Sequence, residues 1–249
     1  PHHNSVTEAT GDTVKGGVTV SAQAGIAQVL LNGQDISQAS TSPVSIKTDN
    51  GTLVVNGYNA ATGQISYAYT EDKLANDHSQ GDIIDTFTIS VTDIAGKTTS
   101  GDLTIQILDT APVAKDDAAQ ITEDTIEPIK GDVVFNDKLG ADAIQSVVFS
   151  STAAQHGTFT VDDKGVWSYT LNNSDPKVQG LNDGQTLTET FYYTITDADG
   201  DTSQAALVIT INGSTDGPPT VVPEDADGNV TPHHNSVTEA TGDTVKGGV

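Results

Sequence analysis

The sequence predicts an all-β protein built from two tandem immunoglobulin-like β-sandwich domains. Apolar and polar residues alternate along most of the chain, for example at Phe87, Ile89 and Val91, and this period of two is typical of half-buried strands. Clusters of Gly, Asn and Asp separate the alternating segments, as turns between strands require. No long segment has the period of a helix.

An internal duplication indicates two domains. Residues 85–96, DTFTISVTDIAG, align with residues 189–200, ETFYYTITDADG, and GTLVV at Gly51 aligns with GTFTV at Gly157. Each half has the length and strand count of an immunoglobulin-like sandwich, with a closed barrel as the lesser alternative. We therefore expect one domain at 1–112, a second at 113–218, and a linker plus the first strand of a next copy at 219–249.

The chain also repeats at a larger scale, because residues 232–249 are identical to residues 1–18. The offset from Pro1 to Pro232 gives a period of 231 residues, which is long enough for whole domains. We expect a slice of a longer protein, in which neighbouring copies of the repeat are partners. Residues 237–249 lack their own domain in this slice, so we expect strand-swapped association specific to it.

The composition excludes several classes of function. The net charge is −24 from 34 acidic and ten basic residues, and all ten bases are lysine. Nucleic acid and anionic membrane surfaces are therefore poor partners, and no apolar run is long enough for membrane insertion. There is no cysteine, and neither His78 nor His156 has a nucleophile–base signature nearby. We do not expect an enzyme.

The strongest local signal for chemistry is the run Asp197-Ala198-Asp199-Gly200-Asp201. Alternating carboxylates with a glycine for a sharp turn suit a hard cation such as Ca²⁺, although such a run alone is more often a solvated turn. In a sandwich this loop faces the incoming linker. The linker region adds further acids, so the sequence predicts a calcium site at the junction, with ligands drawn from Asp109, Asp116, Asp117, Glu123, Asp197, Asp199 and Asp201.

The junction between successive copies is less rich in ligands. The first domain keeps Asp93 in the corresponding loop, and the longer linker supplies Asp216, Glu224, Asp225 and Asp227. A second calcium site there is an open alternative to a loose tether. A further acidic cluster at Asn136, Asp137 and Asp142 is interpreted as a plain turn.

The second half resembles a known family. The ordered motifs PVAKDD, ITED, GDVVFND, GVWSYTL and TDADGD are similar to the VCBS-type, cadherin-like repeat of bacterial surface proteins, over nearly all of 112–217. The first half resembles it more loosely. The resemblance implies a cadherin-like sandwich, an origin in giant RTX adhesins of the LapA type, type I secretion to the bacterial cell surface, and calcium on Asp116, Asp117, Asp197, Asp199 and Asp201.

Together these observations predict a calcium-rigidified extender that projects a distal ligand-binding domain in adhesion and biofilm formation. The alternative is that the repeat is itself a ligand-binding module for a glycan, ice or a host surface, acting by avidity. Against that alternative, the sequence shows no exposed aromatic cluster and no flat threonine array.

Overall fold

The computed structural model describes residues 4–221. Nine strands precede the linker and seven follow it. The first nine are β1 (Asn4–Thr7), β2 (Thr13–Thr19), β3 (Ile26–Leu31), β4 (Gln34–Asp35), β5 (Val44–Lys47), β6 (Gly51–Asn59), β7 (Gln64–Glu71), β8 (Ile83–Asp93) and β9 (Thr98–Leu108). The other seven are β10 (Asp117–Thr122), β11 (Ile129–Asp132), β12 (Ile144–Phe149), β13 (Gly157–Val161), β14 (Val166–Leu171), β15 (Thr186–Asp197) and β16 (Thr202–Asn212).

Each set of strands forms two sheets packed face to face. In the first set, which we call domain 1, the sheets have the orders β1-β9-β8-β3-β4 and β2-β7-β6-β5. In the second set, domain 2, the orders are β10-β16-β15-β12 and β11-β14-β13. The sheets stay separate, so each domain is an open sandwich and not a closed barrel. The prediction of an all-β, immunoglobulin-like fold is confirmed.

The sandwich cores contain the alternating apolar residues that the sequence pattern singled out. Phe87 and Ile105 are fully buried in domain 1, and Phe191 and Ile209 hold the matching positions in domain 2. Trp167 is 6% exposed and stacks on Phe159 at a ring-centroid distance of 6.2 Å. The hydrophobic stabilisation of each domain therefore comes from its own core.

Strand direction decides which residues meet between the domains. The first strand of each domain runs parallel to the last, with Thr7 opposite Leu108 and Thr122 opposite Asn212. The end of β1 therefore lies at the C-terminal end of domain 1, beside the end of β9. The loop between β15 and β16 lies at the N-terminal end of domain 2, so it faces domain 1 across the linker.

The outer faces of the sheets carry hydroxyl groups. On β8 and β9, Ser90 and Ser100 share a hydrogen bond of 2.8 Å, as do Thr92 and Thr98. The register of β8 and β9 places these residues directly opposite one another, which gives a short hydroxyl ladder of one Ser pair and one Thr pair. Within residues 4–221 no helix has the length and apolar character needed to cross a membrane.

Candidate metal centre between the two domains

The β15–β16 loop forms a tight turn around the Asp197 carboxylate. Its Oδ1 accepts hydrogen bonds from Gly200 N at 3.1 Å and Asp201 N at 2.7 Å, and the backbone pair from Asp197 N to Asp201 O closes the loop at 3.1 Å. Gly200 has φ +105°, a conformation that side chains rarely tolerate. Asp197 is fully buried, and Oδ2 is left free of this turn.

Carboxylates from both domains converge on this loop. Three groups of side chains have their potential ligand atoms within 4.8 Å of one another, and they share Asp109 and Asp199. The groups therefore form one continuous cluster, which we call the junction cluster. Its members are Glu8, His78 and Asp109 from domain 1 and the linker, and Asp142, Asp197, Asp199 and Asp201 from domain 2.

Glu8 anchors the domain 1 side of the junction cluster. It follows β1 directly, and its backbone N donates to Leu108 O at 3.0 Å. Its Oε1 accepts from Thr110 N at 3.1 Å and from Thr110 Oγ1 at 3.0 Å, and Oε2 accepts from Asn76 N at 2.8 Å. Glu8 is 1% exposed, so one buried carboxylate ties the first strand, the β7–β8 loop and the start of the linker together.

The linker is fastened directly to domain 2. Thr110 Oγ1 accepts a hydrogen bond from Ala141 N at 2.8 Å, and Val113 exchanges two backbone hydrogen bonds with Lys138 at 2.7 and 3.1 Å. His78 adds a contact across the junction, because its backbone N donates to Asp199 Oδ2 at 3.3 Å. The two halves of the cluster are therefore placed by hydrogen bonds that do not need a metal.

The negative charge of the cluster is not balanced by any lysine in residues 4–221. His78 Nε2 lies 3.9 Å from Glu8 Oε2, which is an ion pair only when His78 is protonated, and the other two charged contacts in that range lie elsewhere. Four buried atoms of the cluster have no hydrogen-bond partner among the described residues: His78 Nε2, Asp142 Oδ2, Asp197 Oδ2 and Asp199 Oδ1. Buried polar atoms without partners are costly, so they call for a ligand.

The pKa values of three cluster carboxyls are raised. Burial, and then the neighbouring Asp199 carboxylate, raises the pKa of Asp197 to about 6. Burial and then repulsion from neighbouring carboxylates raise the pKa of Asp142. For Asp201 the neighbouring Asp109 carboxylate is the first cause of a raised pKa. Protons thus compensate part of the charge when no cation is bound.

The donor set fits a hard divalent cation. Six of the seven side chains offer carboxylate oxygens, which Ca²⁺ prefers and binds in sets of six to eight. The unpartnered oxygens of Asp142, Asp197 and Asp199 belong to the same cluster. His78 contributes the one nitrogen, which is an uncommon ligand for calcium.

The structure brings together four of the predicted ligands: Asp109, Asp197, Asp199 and Asp201. It does not bring Asp116 and Asp117 to the cluster. Asp116 Oδ1 accepts from Ala206 N at 2.9 Å, and Asp117 Oδ2 accepts from the Tyr193 hydroxyl at 2.9 Å. These two carboxylates fasten β10 to its own domain.

Glu123 was also placed wrongly. It follows β10, so it lies beside Ser214 at the opposite, C-terminal end of domain 2, and its Oε1 accepts from Ser214 N at 2.8 Å. Asp93 lies at the N-terminal end of domain 1, and Asp216 is exposed beyond β16. Glu224, Asp225 and Asp227 lie outside the described residues.

Three members of the junction cluster were not predicted as ligands from the sequence. Glu8 had a signal, because VTE at Val6 aligns with ITE at Ile121 and both glutamates follow the first strand of a domain. Asp142 was interpreted as part of a plain turn, and the structure shows that this turn faces domain 1 and places Asp142 in the cluster. His78 lies in the long β7–β8 loop, where no pattern indicated its position.

Comparisons with known proteins agree with this architecture. Residues 109–213 match the family model described as "Bacterial cadherin-like domain". A comparison with curated protein sequences gave no match. Residues 109–213 are therefore similar to a bacterial cadherin-like domain.

Solved structures of cadherin ectodomains are similar to the chain at low identity. Protocadherin gamma B7 domains 1–4 align at 15% identity and a TM-score of 0.36, over 90% of this chain and 51% of that one. Mouse PcdhgC3 domains 1–3 align at 13% and 0.33, over 84% and 64%. The human desmocollin-1 ectodomain aligns at 11% and 0.33, over 89% and 40%. The chain spans about half the length of the first of these.

Proposed function

We propose that the chain, whose residues 109–213 match a bacterial cadherin-like domain, is a calcium-rigidified extender in the tandem-repeat region of a large bacterial cell-surface adhesin. It would hold a distal ligand-binding domain away from the cell for adhesion and biofilm formation. The exact repetition of residues 1–18 at 232–249 supports a chain of such modules, with type I secretion as the export route that the RTX resemblance implies.

One observation carries the proposal: carboxylates from two domains converge on one junction without a lysine partner in residues 4–221. Like charges at this spacing repel and push the domains apart. A bound divalent cation supplies positive charge between them. Glu8 and Asp109 would hold it from domain 1, and Asp142, Asp197, Asp199 and Asp201 from domain 2.

The chain itself contributes the positioning. Thr110 donates to Glu8 and accepts from Ala141, so it fixes the linker against both domains. The Gly200 turn keeps Asp197 Oδ2 free, because Oδ1 is used by the loop backbone. The carboxylates are thus held near one another before a cation arrives, which lowers the ordering cost of binding.

The expected gain in stability follows from the thermodynamic linkage between calcium binding and folding. Extracellular calcium sites bind with dissociation constants of about 0.1–1 mM, and one site at 100-fold saturation adds about 2.7 kcal/mol to the free energy of unfolding. A loose chain spans a distance that grows only as the square root of its length. Calcium at each such junction would therefore decide between a rod and a collapsed tether.

Small-angle scattering and thermal unfolding test this function. Calcium should lengthen the particle and raise its Tm, and a chelator should reverse both changes. Asp199→Asn should abolish the response, because Asp199 joins two of the three ligand groups. Asp162→Asn, in the β13–β14 turn of domain 2, is a control outside the cluster with the same change of charge. A chelator that alters neither length nor Tm would contradict the proposal.

The alternative function, a ligand-binding repeat, now has a specific observation in its favour. The hydroxyl ladder on β8 and β9 is exposed, and Tyr192 is 63% exposed on the outer face of β15. The ladder hydroxyls bond to one another across the strands, which stabilises the sheet itself. A glycan array and an ice-shaping assay on the wild type and Tyr192→Ala discriminate, since specific binding lost in the variant would favour this alternative.

A further inference from the structure

The N-terminal end of domain 1 repeats the backbone of the junction loop without its ligands. Asp93 N bonds to Lys97 O at 2.9 Å, and Asp93 Oδ1 accepts from the N of both Ala95 and Lys97 at 2.9 Å. Asp197 makes the two equivalent bonds with Asp201 in domain 2, and Gly200 N donates the third bond to its Oδ1. The loops therefore correspond residue by residue, with Ala95 at the position of Asp199 and Lys97 at the position of Asp201.

A third ligand is missing from the same end. Ile26 pairs with Asp93, and Ile144 pairs with Asp197, each beside an irregularity in the same place of the ladder. Counting back two residues from each isoleucine puts Ala24 at the position of Asp142. This end of domain 1 thus presents one exposed lysine, Lys97, and one carboxylate, Asp93, whose Oδ1 bonds to its own loop.

The C-terminal end of domain 2 presents the complementary half. Glu123 corresponds to Glu8, because its N donates to Asn212 O at 2.9 Å and its Oε1 accepts from Ser214 N at 2.8 Å. Here Gly213 stands where Asp109 stands in the inner junction. Glu123 is 4% exposed, and its Oε2 is buried with no hydrogen-bond partner among residues 4–221.

A buried carboxylate oxygen without a partner requires a donor or a positive charge from outside the domain. The loops at this end carry the acids Glu123, Asp124, Glu127, Asp175, Asp183 and Asp216 and one lysine, Lys177. In a chain of repeats this acidic end is followed by the next copy, whose nearest end carries Lys97. The two ends are complementary in charge.

We propose that the junction between successive copies is closed by Lys97 of the following copy, whose ammonium group pairs with Glu123 of the preceding copy in place of a metal ion. The lysine side chain is longer than the Asp201 side chain at the corresponding position, so it can extend across the space that Asp109 and a cation fill in the inner junction. The inference rests on the proposed extender function in one respect, that the copies follow one another end to end.

If Lys97 closes the junction between copies, two kinds of junction alternate along the chain of repeats. The inner junction of each copy depends on calcium, whereas the junction between copies depends on an ion pair and is sensitive to salt. Residues 213–234 separate β16 from the next copy of Asn4. A free linker of that length has a root-mean-square span of about 26 Å, which is the spread expected for a junction that no contact closes.

Distance measurements between spin labels on a chain of two consecutive copies test the proposal. The chain has no cysteine, so Thr188→Cys in the first copy and Ser100→Cys in the second give unique, exposed labelling sites. The distance distribution across the copy boundary should be narrow in a chelator at low salt. It should broaden toward that of a free linker with Lys97→Glu in the second copy, but not with Lys15→Glu, a control on an exposed strand position.

The charge swap completes the test. Glu123→Lys in the first copy combined with Lys97→Glu in the second should restore the narrow distribution, and circular dichroism should verify that both domains fold. A distribution that is broad in chelator and narrows with calcium would overturn the proposal, since the junction would then be closed by metal and linker acids. So would a wild-type distribution that Lys97→Glu leaves unchanged. The inner junction's response to calcium, measured on the 249-residue chain, tests the extender function separately.

Discussion

Gly140 in domain 2 lies directly against the carbonyl of Thr110 in the linker. A Cβ built on Gly140 would lie far inside contact distance of Thr110 O, and Gly140 has φ +75°. The same Thr110 holds Glu8 on one side and Ala141 on the other. The approach of the two domains is therefore set by a residue with no side chain.

Gly140→Ala should disrupt this contact. The substitution adds strain from the positive φ, and it also forces the linker away from domain 2. We expect a loss of about 1–3 kcal/mol in the free energy of unfolding and a weaker calcium response, measured by calorimetry. Gly184→Ala is the matched control, because Gly184 has φ +83° and no atom within 4 Å of its built Cβ. Equal losses in the two variants would show that the contact contributes nothing.

Glu8→Gln should weaken calcium binding at the inner junction. The change removes one negative charge from the cluster while preserving side-chain length, so we expect a loss of about tenfold or more in affinity, or about 1.4 kcal/mol. Isothermal titration calorimetry measures it. Glu123→Gln, the equivalent residue at the other end of domain 2, should leave the inner site unchanged. A comparable loss in both variants would place Glu123 in the calcium site after all.

Asp117 should make the metal-free protein less stable at neutral pH than at acidic pH. Burial is the main cause that raises its pKa from 3.8 to about 6, opposed by the hydrogen bond from Tyr193. Because the folded state holds this proton more tightly than the unfolded state, the stability that Asp117 contributes is greatest below pH 3.8 and falls as the pH rises to about 6.

Asp117→Asn should flatten this part of the pH profile in chelator, as measured by urea unfolding between pH 4 and 7. Asp116→Asn, whose carboxylate is exposed beside it, should not. An unchanged profile in Asp117→Asn would mean that other carboxyls, such as Asp137, account for the dependence. A loss of calcium affinity in the same variant would support the ligand role that the family resemblance assigns to Asp117.

The duplicated segment should cause association of this chain. Residues 237–249 are identical to residues 6–18, whose strands β1 and β2 are edge strands paired with β9 and β7. A tail from one molecule can therefore compete for the β1 position of another. Multi-angle light scattering at increasing concentration should show dimers or larger species, which a chain ending at Val230 should lack.

A pair of point variants distinguishes strand exchange from nonspecific association. Val237→Asp changes the copy of Val6, which is 3% exposed in its groove, and should abolish association. Ser236→Asp changes the copy of Ser5, which is exposed on the same strand, and should reduce association far less. Equal effects of the two variants would argue against exchange.

Most strands of the two sandwiches could be predicted from the sequence, because each strand has its own local alternation of apolar and polar residues. The alternation at residues 191–195 and 207–211 fixed the β15 and β16 strands, and the β15–β16 loop between them was correctly turned toward the linker. The error at Glu123 has a different origin. Glu123 follows β10, and it lies at the far end of domain 2 because β10 runs parallel to β16. The alternation of apolar and polar residues predicts the strands but not the direction in which they pair.

The remaining residues of the cluster depend on long-range geometry. His78 lies 121 positions from Asp199, to which its backbone donates, and no local pattern predicts such a contact. Asp142 lies in a turn whose composition matches any solvated turn. The orientation of that turn follows from Gly140 and Thr110, which pack in a way that only the folded pair of domains reveals.

The parallel pairing of first and last strands also has a mechanical consequence. When a tether is pulled, each domain is loaded through its two terminal strands in opposite directions. The hydrogen bonds between them then lie across the pull and share the load in shear, instead of opening one at a time. β1 and β9 pair at four positions, whereas β10 and β16 pair at six. Under rising force, domain 1 would unfold before domain 2. Each repeat would therefore contain one mechanically weaker and one mechanically stronger domain.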